Sequence, residues 1–449
     1  MCSDISFLPE EERLPNPPAR STPERAEAAR QNRFRRGTDE LQKVVRAGVS
    51  AFDRDGEQRR PVKVLHVITS LNPDDGGPPE MVRQLAANFT AIGDTVEVAT
   101  LDVPGAPYLE NRAFPVHALG PRNSSFGYSP RLKSWLYDNA SRFDLVVISN
   151  VWLYPSVAGW RAAKRAQVPY VVFTHGALDI FFKKRYPLKH LKKLLYWPLQ
   201  YIILRSAAAV LFTSELEREL ALASFRPNLW RSVVVPYGTN PPPDEPERQL
   251  AAFYARVPSM QNRRFLLFLS RIHEKKGCDL LISAFAELAP HYPDVDLVIA
   301  GPDQASLQGR LQKQAEEAGI AARVHWPGML QGDAKFGAFR AAEAFVLPSH
   351  QENFGIVVAE ALACGTPVLI SNQVNIWHEI EADQVGLVEP DTLPGTVNLL
   401  RRWLDMPATE RRRMADATQA TFQQRFWLRK TAQSLHTLAE ILTSQRQRR

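Results

Sequence analysis

The feature that most constrains this chain is a repeated alternation of short apolar runs with longer segments of helical period. From Val62 onward, runs of strand length recur at 62–68, 95–100, 144–149, 170–174, 209–213 and 232–236, separated by turn residues or by stretches of helical periodicity. Strand and helix repeated in this order build βαβ units, and these build a parallel sheet. The pattern stops at TNPPPDEPERQLAAFYARVPSMQNR, residues 239–263, where three prolines at 241–243 and dense charge mark an interdomain linker over 241–263. It then restarts, with strands expected at 265–270, 296–301, 323–326, 344–348 and 367–370 and helices at about 277–290, 304–318, 333–342 and 355–363. No internal sequence repeat is evident. The fold class is therefore α/β, with two doubly wound domains, 61–240 and 264–425, in tandem. Such a pair sets the carboxyl ends of two sheets face to face, and ligands bind at those ends, so the cleft is the expected site.

The flanks read differently. Residues 1–60 carry five prolines before residue 24 and no sustained apolar period, which predicts a mostly disordered N-terminal extension. Residues 426–449 place Leu428, Leu435, Leu438 and Leu442 on one stripe of a closing helix that ends in a polar tail. That stripe fits packing on its own domain or a crossing of the cleft equally well.

Composition narrows the function classes. With 45% apolar and 23% charged residues the chain is neither disordered nor collagenous nor a multi-span membrane protein. The 55 basic and 48 acidic residues give +7, which suits an anionic partner without choosing among a sugar nucleotide, a phospholipid surface and nucleic acid. Cys2, Cys278 and Cys364 lie far apart and show no ligand spacing, so neither a disulfide framework nor a zinc site is expected. The N-terminus lacks a basic segment followed by an apolar one, which makes cytoplasmic the default expectation. The most apolar window, Leu194 to Phe212, contains Pro198, Gln200 and Arg205 and falls short of a spanning helix. Any membrane association is then expected to be peripheral.

Three stretches carry chemistry. After the strand at 62–68, SLNPDDGGPPEMV places Gly76 and Gly77 before a helix expected to start at Pro78 or Pro79, where backbone N–H groups can approach an anion. On its own this is also an ordinary turn, and neither GxGxxG nor GxxxxGK[ST] occurs. The second domain opens with FLLFLSRIHEKKGCDLLISAF, where Arg271 and Lys276 sit at a strand-to-helix junction and can neutralise a diphosphate leaving group. The third stretch is PSHQENFGIVVAEALACGTPVLIS, with Glu352 in a loop and Glu360 on a short helix. Eight helical residues would separate these carboxylates by about 12 Å. That suits one extended ligand held at both ends, and not a glycosidase pair, whose carboxyls lie within about 5–10 Å of each other.

The combination of Glu352-x7-Glu360, the run Ala363-Cys364-Gly365-Thr366-Pro367-Val368, Arg271…Lys276-Gly277 and Gly301 resembles glycosyltransferase family 4, the group 1 retaining enzymes of GT-B fold. The resemblance covers about 62–446 and is most specific in the carboxyl-terminal half. It implies two Rossmann-like domains: an N-terminal acceptor domain and a C-terminal domain that holds most of a nucleoside diphosphate-sugar. Carried over, Arg271 and Lys276 hold the diphosphate, Glu360 the ribose hydroxyls and Glu352 hydroxyls of the donor sugar. The backbone of Asn353, Phe354, Gly355 and Ile356 lies near sugar and phosphate. The Gly76-Gly77 turn resembles the family's glycine loop, and His175 in FTHG its histidine facing the donor sugar; by itself His175 also reads as a core histidine. The base is expected near 324–330, with nothing to separate uracil, guanine and adenine. Two departures concern cleft shape: Pro302-Asp303 follow Gly301, and Tyr237 precedes Gly238 where many members have asparagine.

Independently of the family, DIFFKKRYPLKHLKKLLYWPLQYIIL reads as a basic amphipathic helix. Leu188, Leu191 and Leu195 share one face, Lys189, Lys192 and Lys193 another, with Tyr196 and Trp197 close by and Lys183, Lys184 and Arg185 extending the charge. Such a helix lies in an anionic membrane surface, here through 181–197, or packs on a core with its basic face solvated. The expected activity is retaining transfer of a hexose to a glycan or lipid-linked glycan in cell-surface polysaccharide synthesis, such as lipopolysaccharide or exopolysaccharide. The enzyme is expected in the cytoplasm, peripheral on the inner face of the plasma membrane in the reading where 181–197 meets lipid, with no metal, no cofactor and no nucleic-acid partner. A sugar-nucleotide epimerase of the same fold and a silent sugar-nucleotide-binding scaffold are the alternatives.

Overall fold

The computed structural model describes residues 37–50, 52, 59–75, 77–110, 113–122, 124–149, 151–179, 187–303 and 305–447. Among these, the first domain is a parallel sheet of β1 (Lys63–Val67), β2 (Thr95–Thr100), β3 (Val116–Ala118), β4 (Leu145–Ile148), β5 (Tyr170–Phe173), β6 (Ala209–Phe212) and β7 (Ser232–Val234), in the order β3-β2-β1-β4-β5-β6-β7. The second consists of β8 (Arg264–Leu269), β9 (Val295–Ala300), β10 (Val324–Gly328), β11 (Ala344–Leu347), β12 (Val368–Ser371) and β13 (Gly386–Glu389), in the order β10-β9-β8-β11-β12-β13. Helices cover the strands so fully that β4, β5 and β6 are buried at every residue, which is why they read as unbroken apolar runs. The strand order reverses between β1 and β4 and again between β8 and β11. At such a switch point the connections leave in opposite directions and open a crevice at the strands' carboxyl ends. The two-domain α/β architecture of the GT-B type is thus present, with a crevice in each half.

Two edge strands, β3 and β13, escape the sequence pattern. β3 is only three residues long and half-buried throughout, so it carries no apolar run. The stretch expected as a linker also holds more structure than its prolines suggest. Within 241–263, a helix spans Pro246–Arg256 and packs on the helix Gly332–Ala341. Phe253 and Gln249 are fully buried there, and Gln249 accepts from Arg340 at 2.7 Å while donating to Pro243 O at 2.7 Å.

Of the predicted extension 1–60, residues 1–36 lie outside the described residues. Residues 37–50 form a helix, which corrects the reading of that part. Val45 is buried, and the Gln42 amide closes a two-way bond with the Val234 backbone at 2.7 and 2.8 Å. The closing helix, Arg429–Gln447, crosses back to the first domain and packs on the helix Gly77–Ala91. His436 Nδ1 lies 2.8 Å from the Asp94 carboxylate, and Thr431 Oγ1 donates to Pro236 O at 2.5 Å.

The helix Pro187–Ser206 departs from the expected layout. Lys183, Lys184 and Arg185 lie outside the described residues, and the side chains of Leu188, Lys189 and Lys192 are likewise not described. Trp197, expected near a surface, is instead core, stacked on Phe225 at 4.5 Å. Lys193 turns inward over the Trp152 ring at 5.2 Å, and burial lowers its pKa. Leu191 is 62% and Leu195 81% exposed, and Leu194, Tyr196 and Ile202 are exposed beside them. Positions 191, 194, 195 and 202 make one outward stripe, so the leucine face is not buried in this domain's core. No helix among the described residues is long and apolar enough to cross a membrane.

Candidate active site

Between the two sheets lies a cleft of about 860 Å³. It is lined by His175, Arg271, Lys276, Glu352 and Glu360 together with the Asn353–Ile356 loop. Gly76 lies outside the described residues. Gly77 lines the cleft as the first residue of its helix, one position earlier than expected, and a Cβ built on it would lie 3.4 Å from Ile356 Cδ1 across the gap.

The cationic corner follows from the path of the chain after β8. Ser270 N bonds Ala300 O at 3.1 Å and Ile272 N bonds Pro302 O at 3.0 Å, which fixes Arg271 between them. Gly301 is what allows this approach: a Cβ on it would stand 1.8 Å from Ser270 O. Asp303, part of the Pro302-Asp303 departure, accepts from the backbone of Leu307 and Gln308 and orders the start of the next helix. One turn of 3-10 helix, Glu274–Lys276, then brings the buried Lys276 into an ion pair with Glu352.

The anionic side is a loop pinned from behind. Glu352 N bonds Gln373 O at 2.9 Å, and Asn375 N bonds Glu352 O at 3.1 Å. Gly355 adopts φ +77°, a conformation open to glycine at little cost, and turns the chain into the helix Ile356–Ala363. Glu360 is buried on that helix and pairs with Lys335 Nζ at 2.8 Å. Glu352 and Glu360 therefore each already have a lysine partner. Lys335 had no signal in the sequence, being a lone lysine inside a helix and far from any motif.

The first domain contributes His175 just past β5, in a left-handed conformation (φ +46°) and followed by Gly176 at φ +74°. The imidazole stacks on Phe173 at 5.1 Å and meets Tyr237 edge-on at 6.2 Å. Tyr237 in turn packs on Phe354 at 4.8 Å, so it forms an aromatic floor joining the two domains. Gly238 beside it is where the crossing chains touch, since a Cβ there would lie 1.7 Å from Phe426 O. Burial pushes the His175 pKa down to about 4, which leaves a neutral ring at pH 7. His66 behind it is pushed down to about 3, by burial first and His175 second. His175 Nε2 and Asn353 Oδ1, both shielded from solvent, have no hydrogen-bond partner among the described residues. Buried polar atoms left unsatisfied in a cleft are what a polar ligand satisfies.

Comparison with known proteins decides what kind of cleft this is. Residues 76–238 match the family model for the glycosyl transferase 4-like domain, and residues 254–421 match that for glycosyl transferases group 1. The chain belongs to the group 1 glycosyltransferases. A D-inositol 3-phosphate glycosyltransferase of Streptomyces avermitilis is 26% identical over 416 residues, 86% of this chain and 89% of that one. The glycogen synthase of Mycobacterium tuberculosis is 33% identical over 155 residues, and the match spans only 37% of its length. Among solved structures, HepE of Anabaena, crystallised with UDP and glucose, superposes with a TM-score of 0.66 at 20% identity, covering 85% of this chain and all of that one. At that identity the superposition establishes the GT-B fold of this glycosyltransferase.

Proposed function

We propose that this glycosyltransferase moves a hexose, with retention of anomeric configuration, from a nucleoside diphosphate-sugar to a hydroxyl of a glycan or lipid-linked glycan in cell-surface polysaccharide synthesis. The observation that carries the reading is one cleft combining cations for a diphosphate, two carboxylates on a single loop and helix, and a neutral histidine from the opposite domain. In this reading Arg271 and Lys276 hold the diphosphate, Glu360 the ribose and Glu352 the hexose hydroxyls. The 353–356 backbone lies along sugar and phosphate, the Gly76-Gly77 turn over the phosphates and the base near 324–330. The HepE complex, which holds UDP, favours a uridine nucleotide for this chain too.

The chemistry breaks the bond between the hexose C1 and the diphosphate oxygen. As that oxygen takes up negative charge, Arg271 and Lys276 stabilise it, and stabilisation that grows toward the transition state accelerates the step. The acceptor oxygen bonds C1 on the face the diphosphate leaves, and its proton passes to the departing diphosphate. His175 keeps water off that face and donates to or accepts from the sugar as a neutral ring.

The outward leucine stripe of Pro187–Ser206 supports a peripheral site on the cytoplasmic face of a membrane. Leu191, Leu194, Leu195 and Ile202 supply apolar surface, and the basic run 183–192 supplies charge complementary to anionic lipid. A lipid-linked acceptor would then meet the enzyme at the surface where it resides.

The test is a panel of labelled UDP-, GDP- and ADP-sugars, each incubated with and without oligosaccharide acceptors. NMR of the product should show the donor's anomeric configuration. Inverted product would refute the retaining mechanism, an epimeric sugar formed without acceptor would mark an epimerase, and tight binding without turnover would mark a scaffold.

A further inference from the structure

We infer that Glu217 is a positioning residue for His175, organising the cleft from behind without touching the ligand. The inference rests on the role proposed above for His175. In sequence, Ser214-x-x-Glu217 has the form of a capping box at the start of the helix Glu215–Ser224, and half of that motif is present: Ser214 Oγ accepts from Glu217 N at 3.1 Å. The other half would return the Glu217 carboxylate to Ser214 N. The carboxylate goes elsewhere. Oε2 accepts from Thr213 N and Thr213 Oγ1, both at 2.7 Å, while Oε1 accepts from Thr174 Oγ1 and Gly176 N, again both at 2.7 Å.

The two bonds of Oε1 have no part in capping. They grip the residues on either side of His175, one from each flank. That is where the backbone needs holding, because His175 and Gly176 take left-handed conformations in succession and an L-residue with a β-carbon resists such geometry. Glu217 itself is only 1% exposed. Burying a carboxylate is unfavourable unless its oxygens are satisfied, and here four donors satisfy them. The same group reaches toward the second domain as well: Thr213 Oγ1, which donates to Glu217, lies 3.5 Å from Asn353 Nδ2 in the loop that follows Glu352. One buried side chain thereby links the His175 turn to the loop that closes the cleft opposite it. The Glu217 charge also helps raise the pKa of Tyr237, second to burial.

A shift of about 1 Å in a reacting constellation can lower a rate roughly a hundredfold while leaving binding almost untouched. Glu217→Gln puts an amide N–H against one of the donor pairs and should loosen the turn. The test measures nucleoside diphosphate release from the donor sugar selected by the panel above, together with the dissociation constant of the nucleotide alone. For Glu217→Gln, kcat should fall about 10- to 100-fold with nucleotide affinity within about threefold of wild type. Adding Glu217→Gln to His175→Ala should cost less than about threefold more, because a residue that acts through another loses its effect once that one is gone. Independent, multiplicative losses in the double variant would overturn the inference, as would wild-type kcat in folded Glu217→Gln. Should Glu217→Gln not fold, Thr174→Val removes a single donor at nearly constant shape. Its kcat should fall about 3- to 10-fold in the wild-type background and not in His175→Ala, and an unchanged kcat would count against the inference. If His175→Ala alone retains full turnover, the role of His175 fails and this inference with it; a strong His175 effect with no Glu217 effect removes the positioning role alone.

Discussion

Replacing Lys276 by alanine tests the proposed chemistry most directly, because the structure makes two separable consequences follow from it. The Lys276 side chain is 11% exposed and its partner Glu352 is 20% exposed, so the pair sits largely out of water at the mouth of β8. The first consequence is loss of a cation aimed at charge that develops on the leaving diphosphate. Removing one such preorganised donor costs about 3–4 kcal/mol, or 10²- to 10³-fold in kcat. The second is a Glu352 carboxylate without its lysine beside an incoming dianion. At an effective dielectric of about 20, like charges 4 Å apart repel by about 4 kcal/mol, so nucleotide affinity should fall as well. Adding Glu352→Gln separates the two effects: the double variant should regain nucleotide affinity by calorimetry while its turnover, followed by nucleoside diphosphate release at saturating donor, stays low. Turnover of Lys276→Ala within threefold of wild type would refute the assignment of Lys276 to the leaving group. Low affinity persisting in the double variant would refute the repulsion argument.

Glu360→Ala should weaken nucleotide binding about 10-fold or more with a smaller effect on kcat, since a ribose contact exists in ground and transition states alike; an unchanged dissociation constant contradicts the role. Both His66 and His175 have folded pKa values below the ordinary 6.5, so between about pH 6.5 and 4 the unfolded chain binds protons that the folded chain refuses. The stability governed by these two histidines is therefore full above pH 6.5 and declines as pH falls, and urea midpoints should drop more steeply across that window in wild type than in His66→Gln; equal slopes refute it. If Arg271 and Lys276 neutralise the diphosphate as proposed, EDTA should leave transfer intact, and a strict Mg²⁺ or Mn²⁺ requirement would favour another mechanism. Leu191→Ser with Leu195→Ser should abolish co-sedimentation with anionic vesicles at unchanged donor hydrolysis, and changing Lys183, Lys184, Lys189 and Lys192 to Gln, with the inward-turned Lys193 left intact, should make what binding persists insensitive to salt. Vesicle binding equal to wild type in both variants would mean the stripe meets something other than lipid.

Much of this architecture was legible because burial on both faces forces a parallel strand to be apolar throughout, and β4, β5, β6 and β11 are of that kind. β3 was not, since an edge strand of three half-buried residues has no reason to be apolar. The helix Pro246–Arg256 was hidden by its own prolines: Pro246 starts it and does not break it, and only Gln249 and Phe253 are buried along its length. In the site, Arg271, Lys276, Glu352 and Glu360 could be found because each stands at a strand end or in a short stretch of constrained spacing. Lys335 and Glu217 could not. Both matter through partners distant in sequence, Glu360 in one case and the His175 turn in the other. No local pattern records such a pairing.

The two lysine–glutamate pairs also bear on how the cleft can bind a dianion and a polyol together. A carboxylate that is to accept sugar or ribose hydroxyls must stay charged near a diphosphate, which by itself would favour protonation or repulsion. Lys276 beside Glu352 and Lys335 beside Glu360 place a cation against each carboxylate before any ligand arrives. The cost of desolvating each charge is thus met within the folded protein, and the ligand need only exchange one set of oxygens for another. With Arg271 added, the second domain's wall of the cleft sets three cations against two carboxylates, while the first domain's wall carries Asp74, Asp75, Glu80 and Arg83. A diphosphate held on the second domain's side would therefore meet net positive charge while the hydroxyls still find their acceptors. On this argument neutralising either lysine should damage binding of the part of the ligand that its glutamate is proposed to hold, as well as of the phosphates. Lys335→Ala should therefore reproduce part of the Glu360→Ala loss in nucleotide affinity although Lys335 itself carries no contact assigned to the ribose. A nucleotide dissociation constant unchanged in Lys335→Ala would show that Glu360 needs no partner, and the pairing would then have no role in binding.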